Sequence, residues 1–280
     1  MREAMVMVAV AAKGMGKTHT SANDIIGPQL LPNPKTGAPG RKVLIFDTNG
    51  EYTDKKLQEK FKVSWRAKPL SLNDLQAWTM SGKVEARRIL ALDKSNRITE
   101  DVDEMLEILY TILKTFRNGM LVLDDINAYL IDASSKKVIS SLTRNRHKNL
   151  DILIHYQTFR AIPPRVWGNL SIVRFHKTNE NVSTVDAKIP NPELFYIAES
   201  LVNYQFKSGN RRFHCFVESQ EDKIYGQFSL NNYRLACYIY LLNYQPLMLK
   251  HAINRFGNTK EGVEKAQKHC ILDLEKYYGN

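Results

Sequence analysis

The sequence predicts an α/β fold with a mainly parallel central sheet, and three observations predict it. Short apolar runs recur along most of the chain, helical patterns separate them, and the first run ends in a glycine-rich turn. Runs that do not strictly alternate suit strands buried on both faces, as parallel sheets require. Strand–helix–strand alternation then implies right-handed crossovers between neighbouring parallel strands.

The runs, in order, are MVMVAVA (Met5–Ala11), KVLIFD (Lys42–Asp47), RRILALD (Arg87–Asp93), MLVLDD (Met120–Asp125), DILIHY (Asp151–Tyr156) and SIVRF (Ser171–Phe175). A helix is expected to open near Lys17, directly after the glycines. ITEDVDEMLEILYTILKTF has acids in its first turn and apolar residues at i, i+3, i+4 spacing, so it reads as a second helix. Ser134–Lys148, polar and basic over much of its surface, reads as another. Between the first two strands, Leu30–Lys42 is a Pro/Gly-rich loop. RRFHCFVESQEDKIYGQFSL reads as a β-hairpin turning around SQED, and the remainder of the chain is helical. The expected division is a core over residues 1–210 and a hairpin with a helical carboxyl-terminal region over 211–280.

Composition narrows the class. With 43% hydrophobic and 25% charged residues over 280 positions, the chain can bury a substantial core. Three scattered cysteines, Cys215, Cys237 and Cys270, form no C-x-x-C pair, which argues against a disulfide framework or a zinc site and for a reducing compartment. No apolar run approaches the ~18 residues of a membrane span; Tyr233–Tyr244 is too short and carries Arg234. The expectation is a soluble, cytoplasmic protein without membrane insertion. The charge is basic, 40 Lys+Arg against 29 Asp+Glu for a formal +11, which favours a polyanionic partner such as nucleic acid.

The turn after the first run, AAKGMGKTHT, nearly spells the phosphate-binding pattern G-x-x-x-x-G-K-[ST], with Ala11 in place of the first glycine. A strand, a glycine turn and a helix start aim successive backbone N–H groups into one concavity at the positive end of the helix. Gly14 and Gly16 let the backbone approach phosphate, Lys17 would reach the β- and γ-phosphates of ATP, and the Thr18 hydroxyl would ligate Mg²⁺. Lys13, Met15 and His19 complete the candidate contacts of the loop. A metal-supporting acid is needed as well, and GMLVLDDINAYL offers Asp124, with Asp125 next to it to polarise an attacking water. That reading puts the Asp124 strand beside the first strand. Asp47 and Asp93, which also end apolar runs, are the fallback acids. Gln157, directly after DILIHY, would contact the γ-phosphate or the lytic water if its strand adjoins the first one.

With these motifs in hand, the chain resembles the HerA/FtsK superfamily of P-loop ATPases. The matching phrases are AAKGMGKT, VLIFDTNGEY (Val43–Tyr52), the LVLDD strand, and RNRHKNLDILIHYQT (Arg144–Thr158). The resemblance spans about residues 1–180 and implies a RecA-like core that hydrolyses Mg-ATP at subunit interfaces in a ring, usually hexameric, that pulls double-stranded DNA. Carried over, Lys17 and Thr18 hold phosphates and Mg²⁺, Asp124 supports the metal, and Gln157 is the sensor. Arg144, Arg146, Arg160 and Arg174 are candidates for a finger reaching a neighbouring subunit. Two departures stand out: Ala11 for glycine, and Asp125 where the family usually has glutamate.

The pared-down layout looks like the viral genome-packaging ATPases of that superfamily. This makes a capsid or portal-vertex protein a further expected partner, in host cytoplasm or on the virion. Lys35, Arg41, Lys136 and Lys137 are the residues expected to reach a central channel. The alternatives are a phage-assembly or DNA-export ATPase of the Zot or conjugative type, a P-loop kinase acting on a small molecule, and a nucleotide-responsive scaffold without turnover.

Overall fold

The computed structural model describes residues 4–93, 95–126, 136–142 and 145–280, with the side chains at 136, 137, 145 and 146 excepted. The chain divides into two compact units, Met1–Leu170 and Ser171–Asn280. The strand Ile172–His176 falls in the second unit because it pairs antiparallel with the hairpin, Val173 opposite Val217.

In the first unit the strands are β1 (Val6–Val10), β2 (Lys42–Phe46), β3 (Ala67–Pro69), β4 (Ala86–Ile89), β5 (Gly119–Leu123) and β6 (Leu150–Tyr156). They lie in the order β3-β4-β2-β5-β6-β1, and every pair is parallel. β2, β5 and β6 are buried at every position, which is why their sequences are near-continuous apolar runs. The short β3, exposed at two of its three residues and ending in Pro69, sits at the edge, where a residue without an N–H is tolerated.

The helix after β1 starts as α1 (Lys17–Thr20), widens to a π-helical segment over Ser21–Ile26 and ends as α2 (Gly27–Gln29). The wide segment puts Ala22, Ile25 and Ile26 into the core with Val43 and Ile45 of β2 and Val122 of β5. The unit also holds α3 (Leu75–Met80), α4 (Val102–Thr115), α5 (Lys136–Leu142) and α6 (Pro164–Trp167). Asp101 starts α4 by accepting the backbone N–H groups of Asp103 and Glu104, and the helix buries Met105, Leu106, Leu109, Ile112 and Leu113. Within the helix expected over Ser134–Lys148, the described residues form α5 over Lys136–Leu142 and a 3₁₀ turn over Asn145–Lys148 that leads to Asn149 at φ 49°.

Arg41 is not available as a channel residue. Its guanidinium pairs with the buried Asp151 and donates to the carbonyls of Gly119 and Asn149, which ties together the starts of β5 and β6. Lys136 and Lys137 lie outside the described side chains.

The second unit contains β7 (Ile172–His176), β8 (His214–Glu218) and β9 (Lys223–Gly226), antiparallel in that order. The hairpin is the one expected, its turn closed by Asp222 at φ 52°. The helices are α7 (Pro192–Lys207), α8 (Leu230–Tyr244), α9 (Pro246–Phe256) and α10 (Lys260–Leu274). Cys215, Cys237 and Cys270 are buried free thiols. Among the described residues, no helix is long and apolar enough to cross a membrane.

Candidate nucleotide site

Parallel strands end on one edge of a sheet, and the candidate residues follow those ends in the first unit. After β1, the backbone turns through Gly14 at φ 83° and Gly16 at φ 85° before α1 begins at Lys17. Both torsions lie in the left-handed region, where glycine pays no Cβ penalty. A Cβ at Gly14 would meet nothing within 4 Å, so the loop is open there and its constraint is torsional. Ala11 is different. It continues the strand, donating its N–H to the Tyr156 carbonyl at 3.2 Å, and it is absent from the positive-φ residues. An alanine is therefore accommodated where the pattern has its first glycine.

Lys13 is exposed, Met15, Lys17 and Thr18 are half-buried, and the Lys17 ammonium donates to the Tyr156 carbonyl at 3.3 Å. His19 meets Phe61 edge-to-face, with ring centroids 6.2 Å apart.

The acidic pair follows β5, but β5 does not adjoin β1: β6 lies between them. The expected adjacency is corrected accordingly, and a side chain of β6 bridges the gap. His155, opposite Ala9 of β1, places Nδ1 2.7 Å from Asp124 Oδ1 and Nε2 2.6 Å from Ser21 Oγ in the π-helical segment. Burial opposes ionisation of Asp124. The facing His155 imidazole, the Lys17 ammonium and the Asp125 N–H outweigh it, holding the carboxyl below its usual range.

Gln157 does follow the strand that adjoins β1, as expected. Its amide donates to Asp125 Oδ1 at 3.0 Å, while Asn49, from the loop after β2, donates to Asp125 Oδ2 at 3.3 Å. Asp125 itself sits at φ 47°, uncommon for a residue with a Cβ, and donates its N–H to Asp124 Oδ1. Loop β1–α1, the acids after β5, and Gln157 after β6 are thus brought together through named hydrogen bonds and the Lys17 charge.

The fallback acids have other work. Asp47 is fully buried, accepts the N–H groups of Glu51 and Tyr52, and pairs with Arg88 at 3.3 Å, so it holds the turn that carries Asn49. Burial pushes its carboxyl up, against those two N–H groups and Arg88. Asp93 caps its own exposed turn through the N–H groups of Ser95 and Arg97. Of the arginines, Arg144 and the side chain of Arg146 lie outside the described residues. Arg174 is fully buried in β7, which removes it as a side chain reaching a neighbour, whereas Arg160 is exposed.

Sequence reasoning missed His155, Ser21 and Asn49 as site residues. A signal existed for His155, a lone polar ring in an otherwise apolar strand end. Asn49 lay within the quoted phrase DTNGEY without a role.

No protein-family model matches the chain, and no curated protein does. Solved structures do. The chain is similar to the genome packaging NTPase B204 from Sulfolobus turreted icosahedral virus 2 in complex with sulfate, with 15% identity, 80% of this chain and 96% of that chain covered, and a TM-score of 0.49. It is similar to the DNA-packaging ATPase B204 from Sulfolobus turreted icosahedral virus, at 14% identity over 80% of this chain and 97% of that one, TM-score 0.49. The N-terminal domain of zonular occludens toxin from Neisseria meningitidis also matches, at 14% identity over 64% and 79% of the two chains, TM-score 0.34.

Proposed function

We propose that this chain is a Mg-ATP-hydrolysing motor that moves DNA, working as a homo-oligomeric ring in viral genome packaging. One observation carries the hydrolytic half. The glycine loop with Lys17 at its helix start shares a strand edge with an Asp124–Asp125 pair whose second carboxylate is held by Gln157.

The residues fit the nucleotide and its metal. Two left-handed glycines and an open Cβ position at Gly14 make a cradle that phosphate oxygens could approach. A threonine hydroxyl and a carboxylate kept ionised are the hard oxygen donors that Mg²⁺ takes alongside phosphate. Thr18 and Asp124 would hold that ion, which when bound neutralises charge building on the phosphates. The chain's own groups would do the rest. Backbone N–H groups of 14–18 orient the phosphates, Lys17 moves from the Tyr156 carbonyl to the β/γ oxygens, and Asp125 accepts a hydrogen bond from the attacking water while Gln157 fixes its position. The basic surplus supports the DNA half. The family resemblance supports the ring and the packaging role.

Steady-state ATP hydrolysis with and without double-stranded DNA, beside Lys17→Ala, tests this reading. The expected result is turnover that rises with DNA and falls about 100-fold or more in the variant. ATP binding without turnover, DNA and magnesium included, would sink the motor. It would favour the nucleotide-responsive scaffold, for which the engagement of Asp125 by two amides is the supporting observation.

A further inference from the structure

We infer that His155 is a positioning residue that locks the Asp124 carboxylate to the helix carrying the phosphate loop, so that acid and loop present their oxygens to Mg-nucleotide as one unit. The inference rests on the nucleotide-site reading above and deepens it.

The geometry is a relay of three side chains. Ser21, His155 and Asp124 are 0%, 0% and 4% exposed, and their bonds are 2.6 and 2.7 Å long. An ionised carboxylate only accepts, so Nδ1 carries the hydrogen that faces Asp124. With Nδ1 turned to Asp124, Nε2 is left facing the Ser21 hydroxyl, so one ring spans both contacts. The three residue types are those of a hydrolytic triad, but Ser21 Oγ is sealed in the interior and meets no substrate. The arrangement is mechanical. Because β6 separates β5 from β1, Asp124 reaches the loop helix through a side chain rather than as the end of a neighbouring strand. Ser21 is the first residue of the π-helical segment, one residue after α1 ends. Widened helical turns recur at functional positions.

An outer group that orients a metal-supporting carboxylate typically costs 10- to 100-fold in metal affinity when removed. The quantity to read is therefore the factor by which Mg²⁺ tightens ATP binding, measured by calorimetry in magnesium and in EDTA. For His155→Leu, which keeps the buried volume but cannot donate, that factor should fall about tenfold, with the affinity in EDTA within about twofold of wild type. His155→Asn places an amide N–H near the Nδ1 position and should recover most of the loss.

Ser21→Ala removes only the far link, is small enough to leave the fold intact, and should lower the factor by about threefold. It carries the test if the leucine variant does not fold, which thermal unfolding of each variant would show. Wild type that binds ATP without any magnesium dependence would overturn both this inference and the nucleotide-site reading. A magnesium-dependent wild type overturns the inference alone in either of two cases: the factor is unchanged in His155→Leu and Ser21→Ala, or affinity falls equally with and without magnesium.

Discussion

At the scale of single residues, Ala11 and Asp125, the two departures from the motifs the sequence resembles, have separate physical meanings. Ala11 directly follows β1 with its N–H paired to the Tyr156 carbonyl and is not among the positive-φ residues, so no left-handed torsion calls for glycine there. Asp125 is shorter than the glutamate of that motif, and it sits in an uncommon backbone conformation. A φ of 47° turns the carboxylate back over the strand ends, where Gln157 and Asn49 each donate to one of its oxygens. Such torsions cost on the order of 1–2 kcal/mol for a residue with a Cβ, and the two amides offset part of that cost. In the proposed mechanism, Gln157 would act on the water through Asp125 as well as directly. In Gln157→Ala, kcat for ATP should fall about 10- to 100-fold, with KM within about twofold, because the lost contact belongs to the transition state. Steady-state kinetics separate the alternatives: a raised KM with unchanged kcat would place Gln157 in ground-state binding and remove it from the chemistry.

At the scale of elements, the turn after β2 is organised around one buried charge. Asp47 accepts the N–H groups of Glu51 and Tyr52 and meets Arg88 from β4, which fixes the loop that delivers Asn49. Burial raises its native pKa above the ordinary 3.8. Between that value and the raised one, the native state binds more protons than the unfolded chain, so this group's contribution to stability falls as pH rises through the window and is flat above it. Urea unfolding of wild type and Asp47→Asn across the acidic range should show the variant gaining on wild type as pH rises; parallel curves would refute the raised pKa. The same turn shows what the sequence could and could not reveal. Strands buried on both faces announce themselves as apolar runs, and β1, β2, β5, β6 and β7 were legible in that way, whereas β4 (Ala86–Ile89), with two half-buried arginines at its middle, only overlaps the expected run Arg87–Asp93. β3 was not, because three residues ending in proline at a sheet edge carry no pattern. The order of strands was invisible as well: a run ending in DD does not say which neighbour it pairs with. The intervening β6, and with it the bridging role of His155, could only come from structure. Lys17, Asp124 and Gln157 could be named as candidates from sequence because glycine turns and polar residues at strand ends have few other reasons to occur together.

At the scale of the whole molecule, the excess of 40 basic over 29 acidic residues speaks directly about a polymer partner. Part of that surplus is spent internally. Arg41 holds strand starts, Arg88 pairs with Asp47, Arg174 is buried, and the Lys42 ammonium donates to the carbonyls of Trp78, Thr79 and Ser81 where α3 ends. Burial lowers the pKa of Lys42, a cation held by backbone carbonyls and the face of Trp78 with no carboxylate among these contacts. Such groups contribute to the formal charge without offering it to a ligand, so net charge overstates the surface available to a polyanion. What remains should still bind phosphate backbones without regard to base sequence. If about five phosphates are neutralised, the logarithm of the binding constant should fall with the logarithm of salt at a slope of about −4.5, which is roughly a 500-fold loss between about 50 and 200 mM. Fluorescence anisotropy with two duplexes of unrelated sequence measures this directly, and equal affinities with parallel slopes are expected. A slope near zero, or a strong preference for one sequence, would mean that the charge serves some purpose other than a grip on moving DNA. A motor must hold each segment only long enough to pass it on, and contacts confined to the backbone are the kind that permit this.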